Sequence, residues 1–422
     1  PKKCRSLSSA TQVTPGGGKA ASSAGILKMH ACIFVNNIPM NQRIHMVDLV
    51  GQHARIRAEL DAAMHGVVES GAYIKGPDVQ AFAEELGAYC GVKHVIPCGN
   101  GTDALQIALM AAGVGPGDEV ITTGFTFIAT VEVVALLGAT PVLVDVHPDT
   151  FNIDAAAIER AVTPRTKAIV PVHLFGQPAD MDAVLTVAEA HDLVVVEDNA
   201  QAIGAHWCGE RASGQTGSLG HLGTTSFFPS KNLGCMGDGG AVFTNDDGLA
   251  ALARSIANHG MEKRYHHDRV GINSRLDTLQ AAVLRVKLRH LNDYIAARQA
   301  AADRYDALLA DAPGITIPFR DERATHVFHQ YTLILEGTDR DAVVKQLGEE
   351  GIPTGVYYPI PGHAQAAFAA FNYDASAFPV SEFLAQNVLS LPMHTELTEL
   401  EQQHIVERLK AACAAAQTTT FA

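Results

Sequence analysis

The sequence predicts an α/β fold: a mostly parallel seven-stranded sheet in a large domain, followed by a smaller C-terminal α+β domain. Three observations predict it. From Val47 to about Val286, short β-rich runs alternate with helical periods. Several of these runs end in or lead into Gly, Asn or Asp, residues that close strands. After Pro313 the alternation stops and the pattern becomes mixed. Strands that alternate with helices argue for a parallel sheet covered on both faces.

The expected strands are Val92–Pro97, Glu119–Thr123, Thr140–Asp145, Ala168–Val172, Leu193–Asp198, Thr224–Phe228 and Gly240–Thr244. Helical spacing lies between several of them, at Thr102–Ala112, Thr126–Leu137, Asp154–Ala161 and Met181–His191. Asp277–Tyr305 reads as one long, bent helix with Leu279, Val283, Val286, Leu288 and Leu291 as its apolar series. The C-terminal part offers a strand at Gln330–Glu336, a helix at Arg340–Glu350, a Pro-rich loop at Tyr357–Gly362 and a last helix at Leu397–Ala415. The expected division is a leader over 1–39, a large domain over 40–290 and a small domain over 291–422.

The chain has 422 residues, 47% hydrophobic and 18% charged, enough for two packed units. A net charge of -14 argues against general nucleic-acid binding but leaves room for a local positive pocket. Seven cysteines without a CxxC or paired spacing suggest reduced thiols and a cytoplasmic setting. No apolar run reaches the ~18 residues of a membrane span. The 19 histidines form neither HExxH nor a ligand-spaced cluster, so no metal is expected. Residues 1–39 hold no Asp or Glu and five Lys or Arg, and are expected to be dispensable to the fold.

Three segments suggest chemistry. Cys98-Gly-Asn-Gly-Thr-Asp103 joins a strand to a helix, where free N–H groups bind phosphate and glycine lets the backbone approach. The same glycines resemble a dinucleotide fingerprint, but Asp118 and Glu119 stand at the start of the next strand instead of ending it, so that reading fails on placement. A plain glycine turn would look the same. Asp198 ends a hydrophobic strand, where open α/β sheets place ligands; it would equally serve to cap the following loop. Lys231 follows an apolar strand between Phe227-Phe228-Pro229 and a Gly-rich stretch. A confined lysine has a lowered pKa and becomes a competent nucleophile, whereas most loop lysines are simply solvated. Together these supply what pyridoxal phosphate requires: a phosphate cradle, a lysine for its aldehyde and a carboxylate for its ring nitrogen. Phe127 is placed to stack on that ring or merely to pack in the core.

The motifs GNGTDAL, FTFIAT, VVVEDNAQA, SFFPSKNLG, GDGGAVFTND and GINSRLDTLQAAVL, in this order, resemble the sugar aminotransferases of the DegT/DnrJ/EryC1/StrS family. The resemblance runs from about His45 to the C-terminal helix. It implies a pyridoxal-phosphate enzyme of fold type I, with Lys231 carrying the cofactor and Asp198 on the pyridine nitrogen. It places Gln201 near the ring hydroxyl, Phe127 over the ring, and Gly101, Thr102 and Ser226 on the phosphate. It also implies a homodimer in which the neighbour's Asn273 reaches that phosphate and Arg275 faces substrate. Tyr265-His-His-Asp-Arg-Val-Gly-Ile-Asn is similar to enzymes that aminate C3 of a UDP-2-acetamido-3-keto-uronate, with an amino acid such as glutamate as donor. That subgroup tends to show His-Tyr-Pro-Ile-Pro, where this chain has Tyr357-Tyr358-Pro-Ile-Pro. Tyr357, Tyr358 and His266 are the expected substrate contacts beside Arg275; His266 also fits a solvated basic run with Lys263, Arg264 and Arg269. Sugar dehydratases of the same fold replace the lysine, so Lys231 argues against that activity. Asp198, Gln201, Ser226 and Lys231 together argue against a non-catalytic regulator.

Overall fold

A computed structural model describes residues 43–417. Its large sheet has seven strands: β1 (His94–Cys98), β2 (Glu119–Thr123), β3 (Thr140–Val144), β4 (Thr166–Val170), β5 (Val194–Asp198), β6 (Leu222–Ser226) and β7 (Gly240–Thr244). Their spatial order is β1-β7-β6-β5-β4-β2-β3. The run from β6 through β5, β4 and β2 to β3 is parallel. β7 lies antiparallel to both β1 and β6. The mostly parallel seven-stranded sheet is therefore present as expected.

Successive residues in a strand face opposite sides, and this divides the core. Val120, Val170, Val196 and Val242 pack against Leu105, Ala108 and Leu109 of the helix Gly101–Ala111. Their neighbours Ile121, Ile169 and Val195 pack on the other side against Met181, Val184 and Val187 of the helix Met181–Ala190. A strand with a layer on each face must be apolar throughout, which is why β2 and β7 are buried at every residue.

A second, three-stranded antiparallel sheet holds Ile315–Thr316, Tyr331–Leu335 and Val388–Leu391. It packs with Tyr305, Leu347, Ile405 and Leu409 around a separate core, which Ile44 joins from the start of the described chain. The last helix begins at Glu399, not Leu397. Thr398 caps it in a reciprocal capping box with Glu401, which sets its first turn.

The expected long helix is two helices, Thr278–Arg289 and Leu291–Leu309, joined at His290. The His290 N–H bonds to the carbonyl of Lys287, one residue short of the α-helical partner, and this tightens the turn. Cys90, Cys98, Cys235 and Cys413 are free and buried. Cys208 is disulfide-bonded, which corrects the expectation of reduced thiols throughout; an isolated cysteine offers no spacing from which a partner can be read. Among the described residues no helix is long and apolar enough to cross a membrane. The expected leader lies outside the described residues.

Candidate active site

The site forms at the C-terminal ends of β5 and β6. Burial fixes the end of β5 first. Glu197 and Asp198 are adjacent and so point to opposite sides of the sheet. The Glu197 carboxylate accepts from the N–H groups of Gly217, Leu219 and Gly220 and from His173 Nε2 at 2.8 Å. His173 Nδ1 accepts from the Ala179 N–H, so the ring's proton sits on Nε2. This network locks the strand end from behind. On the other side, Asp198 Oδ2 accepts from the Thr130 hydroxyl at 2.8 Å and Oδ1 from the Ala200 N–H at 3.1 Å.

The glycine loop after β1 enters the helix Gly101–Ala111 through Asn100, whose side chain caps the Asp103 N–H. Ser274 ties the loop down, accepting from the Gly99 N–H and donating to Asp103. A Cβ on Gly101 would stand 2.7 Å from the Ser226 Cβ. Glycine there lets the helix N-terminus approach Ser226, and both line one cavity with Thr102. Open helix-end N–H groups beside two hydroxyls make a cradle for a phosphate.

Lys231 closes the cavity. The chain leaving β6 turns at Phe228-Pro229, with the Lys231 N–H bonded to the Phe228 carbonyl. Its neighbour Asn232 is anchored to the Val327 carbonyl. Burial pushes the Lys231 amine down to about 8, with the Asp198 carboxylate opposing. The surrounding cavity, of about 840 Å³, is large enough for a cofactor and part of a substrate.

Nine of the twelve expected site residues line this cavity: Gly101, Thr102, Phe127, Asp198, Gln201, Ser226, Lys231, Tyr357 and Tyr358. Phe127 is half exposed, with its ring centroid 6.3 Å from that of Tyr358. Gln201 accepts from the Phe175 N–H and donates to the Tyr358 hydroxyl at 3.0 Å, leaving that hydroxyl free to donate. Burial pushes the Tyr358 phenol up, so it stays protonated. Asn273, Arg275 and His266 do not line it. Asn273 and Arg275 are exposed, and Arg275 lies in a separate groove with Lys75, Arg254 and Asn258. His266 is exposed on a two-stranded pair with Met261–Lys263.

The sequence reading missed three residues here. Asn100 carried a signal, since it directly precedes a helical run. Thr130 and His329 carried none. His329 lines the cavity. Burial, together with Lys231 and Arg298, holds its ring well below the usual histidine range and keeps it neutral.

The donor set fits pyridoxal phosphate: a phosphate cradle that a Cβ on Gly101 would fill, a buried carboxylate and a desolvated lysine share one cavity. Comparison with known proteins agrees. The model of the DegT/DnrJ/EryC1/StrS aminotransferase family matches residues 54–410. The chain is 50% identical over 354 residues to the UDP-2-acetamido-2-deoxy-3-oxo-D-glucuronate aminotransferase of Pseudomonas aeruginosa, covering 84% of this chain and 96% of that protein. It is similar to the crystal structure of a DegT DnrJ EryC1 StrS aminotransferase from Brucella abortus, with a TM-score of 0.83, 44% identity, and coverage of 88% of this chain and 99% of that one. It is also similar to NtdA from Bacillus subtilis with bound cofactor PMP, with a TM-score of 0.78, 33% identity, and coverage of 87% and 83%. With the fold, the cofactor's donor set and these relatives in agreement, the chain belongs to the DegT/DnrJ/EryC1/StrS aminotransferase family.

Proposed function

We propose that the protein transfers an amino group from an amino acid, with glutamate as the expected donor, to a nucleotide-linked keto sugar. The substrate we propose is UDP-2-acetamido-2-deoxy-3-keto-glucuronate, for bacterial surface polysaccharide such as lipopolysaccharide O-antigen. The observation that carries this reading is the shared cavity of Lys231, Asp198 and the Gly101–Ser226 cradle, in a chain half identical to an enzyme named for that substrate. Pyridoxal phosphate, when bound, supplies an aldehyde for amine exchange and a ring that draws electron density from the reacting carbon.

The residues divide the work. Gly101, Thr102 and Ser226 would hold the phosphate. Asp198 sets a buried negative charge where a protonated ring nitrogen needs a counter-charge. Phe127 would cover the ring, and Gln201 would lie beside its hydroxyl. Lys231 Nζ moves the proton at the sugar carbon. Its pKa of about 8 leaves part of the amine neutral near neutrality, so it serves as both base and acid. Tyr357 and Tyr358 contact the sugar from the loop over the cavity. The protein acts as a cytoplasmic homodimer. Asn273 reaches the cavity of the neighbouring chain with Arg275 close by, which accounts for their absence from the lining of their own, and His266 belongs to a segment near the anionic substrate.

The experiment is incubation with glutamate and a panel of UDP-, dTDP- and GDP-linked 3- and 4-keto sugars, with products identified by mass spectrometry. An aminated UDP-uronate is expected. Amination confined to a dTDP- or GDP-linked deoxysugar would replace the proposed substrate, and Tyr357 in place of histidine makes that arm worth running. No amination of any sugar would sink the reading.

Asp198→Asn should keep the fold and some cofactor. It should lose about tenfold to a hundredfold or more in kcat, because a neutral amide gives up a charged partner in a buried site. Near-normal turnover in a steady-state assay would remove Asp198 from the mechanism.

A further inference from the structure

We propose that Thr130 is a positioning residue for Asp198, at the end of a two-hydroxyl chain that fixes the orientation of the carboxylate lining the cavity. Thr130 is 1% exposed and Asp198 6%, so the bond between them is shielded from bulk water. The Thr130 Oγ1 lies 2.8 Å from Asp198 Oδ2 and 3.2 Å from the Thr126 Oγ1. Directions follow from the donor inventory. An ionised carboxylate only accepts, so the single Thr130 hydrogen points at Oδ2. Thr130 can then only accept from Thr126, and the chain runs Thr126 to Thr130 to Asp198.

A threonine near the start of a helix commonly bonds a backbone carbonyl one turn back. Thr130, in the helix Ala129–Leu136, instead spends its hydrogen on a side chain 68 residues away. With the Ala200 N–H on Oδ1, each carboxylate oxygen has one donor, which fixes the plane of the group. Thr126 and Asp198 line the cavity and Thr130 does not, so Thr130 acts only through Asp198. Hydrogen bonds in a low-dielectric chain reinforce one another, so loss of the middle link is felt at Oδ2.

The inference rests on the cofactor reading, and the test separates the two. Wild-type, Thr130→Val and Thr130→Ser proteins are loaded with pyridoxal phosphate; the visible absorption band, kcat and KM for the keto sugar, and the melting temperature without cofactor are measured. Thr130→Val should displace or weaken the band and lower kcat by about tenfold, with KM within about twofold, the loss typical of a hydrogen bond to a charged group. Thr130→Ser, which keeps the hydroxyl, should restore both. An unchanged band and kcat in Thr130→Val overturn the proposal. So does equal impairment in Val and Ser variants, which marks a packing role. If Thr130→Val does not fold, Thr126→Val carries the test: a smaller change in the same direction is expected, and no change overturns it. Absence of a band in the wild-type protein would defeat the cofactor reading and this inference with it.

Discussion

Lys231→Ala should abolish amino transfer, with a loss of at least about a thousandfold, since it removes the proposed covalent anchor and proton carrier together. The visible band of lysine-bound cofactor should vanish with it. Borohydride reduction followed by peptide mapping should label Lys231 in the wild-type protein. The control is internal. Burial also pushes the Lys287 amine down to about 8, but Lys287 lies outside the cavity, 3.5 Å from His53. A label on Lys287, or on any lysine other than Lys231, would refute the assignment. A stability signature accompanies it. In cofactor-stripped protein the folded Lys231 amine holds its proton only below about 8, whereas the unfolded one holds it to about 10.4. Between those values the unfolded chain binds more protons, so stability rises with pH. Subtracting urea midpoints of Lys231→Ala from wild type at pH 7 and pH 10 should expose that rise. A flat difference would show that the amine is not desolvated.

Much of this was legible because parallel sheets write themselves plainly. Glu119–Thr123 and Gly240–Thr244 are buried on both faces, so their boundaries follow from apolar, β-branched runs. Asp198 and Lys231 were legible as polar residues that follow such runs at strand ends. The helix Arg57–Ser70 was not delineated, because only Leu60 and Val67 of its fourteen residues are buried, too thin a stripe to show a period. Val388–Leu391 is too short to tell from a loop. In the site, what escaped was contact across the fold. His329 and Lys231 line one cavity although they lie far apart in sequence. Nothing near His329 in sequence marks it. Thr126 and Thr130 read as helix residues, and only the end of β5 gives them a purpose.

Mixing two inactive variants should return activity if the active site is built from two chains. Asn273 and Arg275 are exposed, and among the described residues Arg275 makes no ion pair with Asp277 or Asp268, the bland role open to it. Between them Ser274 is buried, bonded to Gly99 and Asp103 of the glycine loop. The segment is thus held rigidly, while Asn273 and Arg275 are exposed and line no part of their own cavity. Such a geometry suits residues that serve a partner. A guanidinium there makes chemical sense, because a uronate brings a carboxylate and a diphosphate, and arginine binds either through two parallel hydrogen bonds. Lys231→Ala chains and Asn273→Ala/Arg275→Ala chains are each expected to be dead alone. In a mixed dimer with shared sites, one site collects both defects and the other has neither. Exchange should therefore restore up to about half of wild-type activity per mixed dimer, since each has one intact site. If every chain completes its own site, each site keeps a defect and the mixture stays dead. That result, with exchange confirmed by native mass spectrometry, would refute the shared site and return Arg275 to the surface.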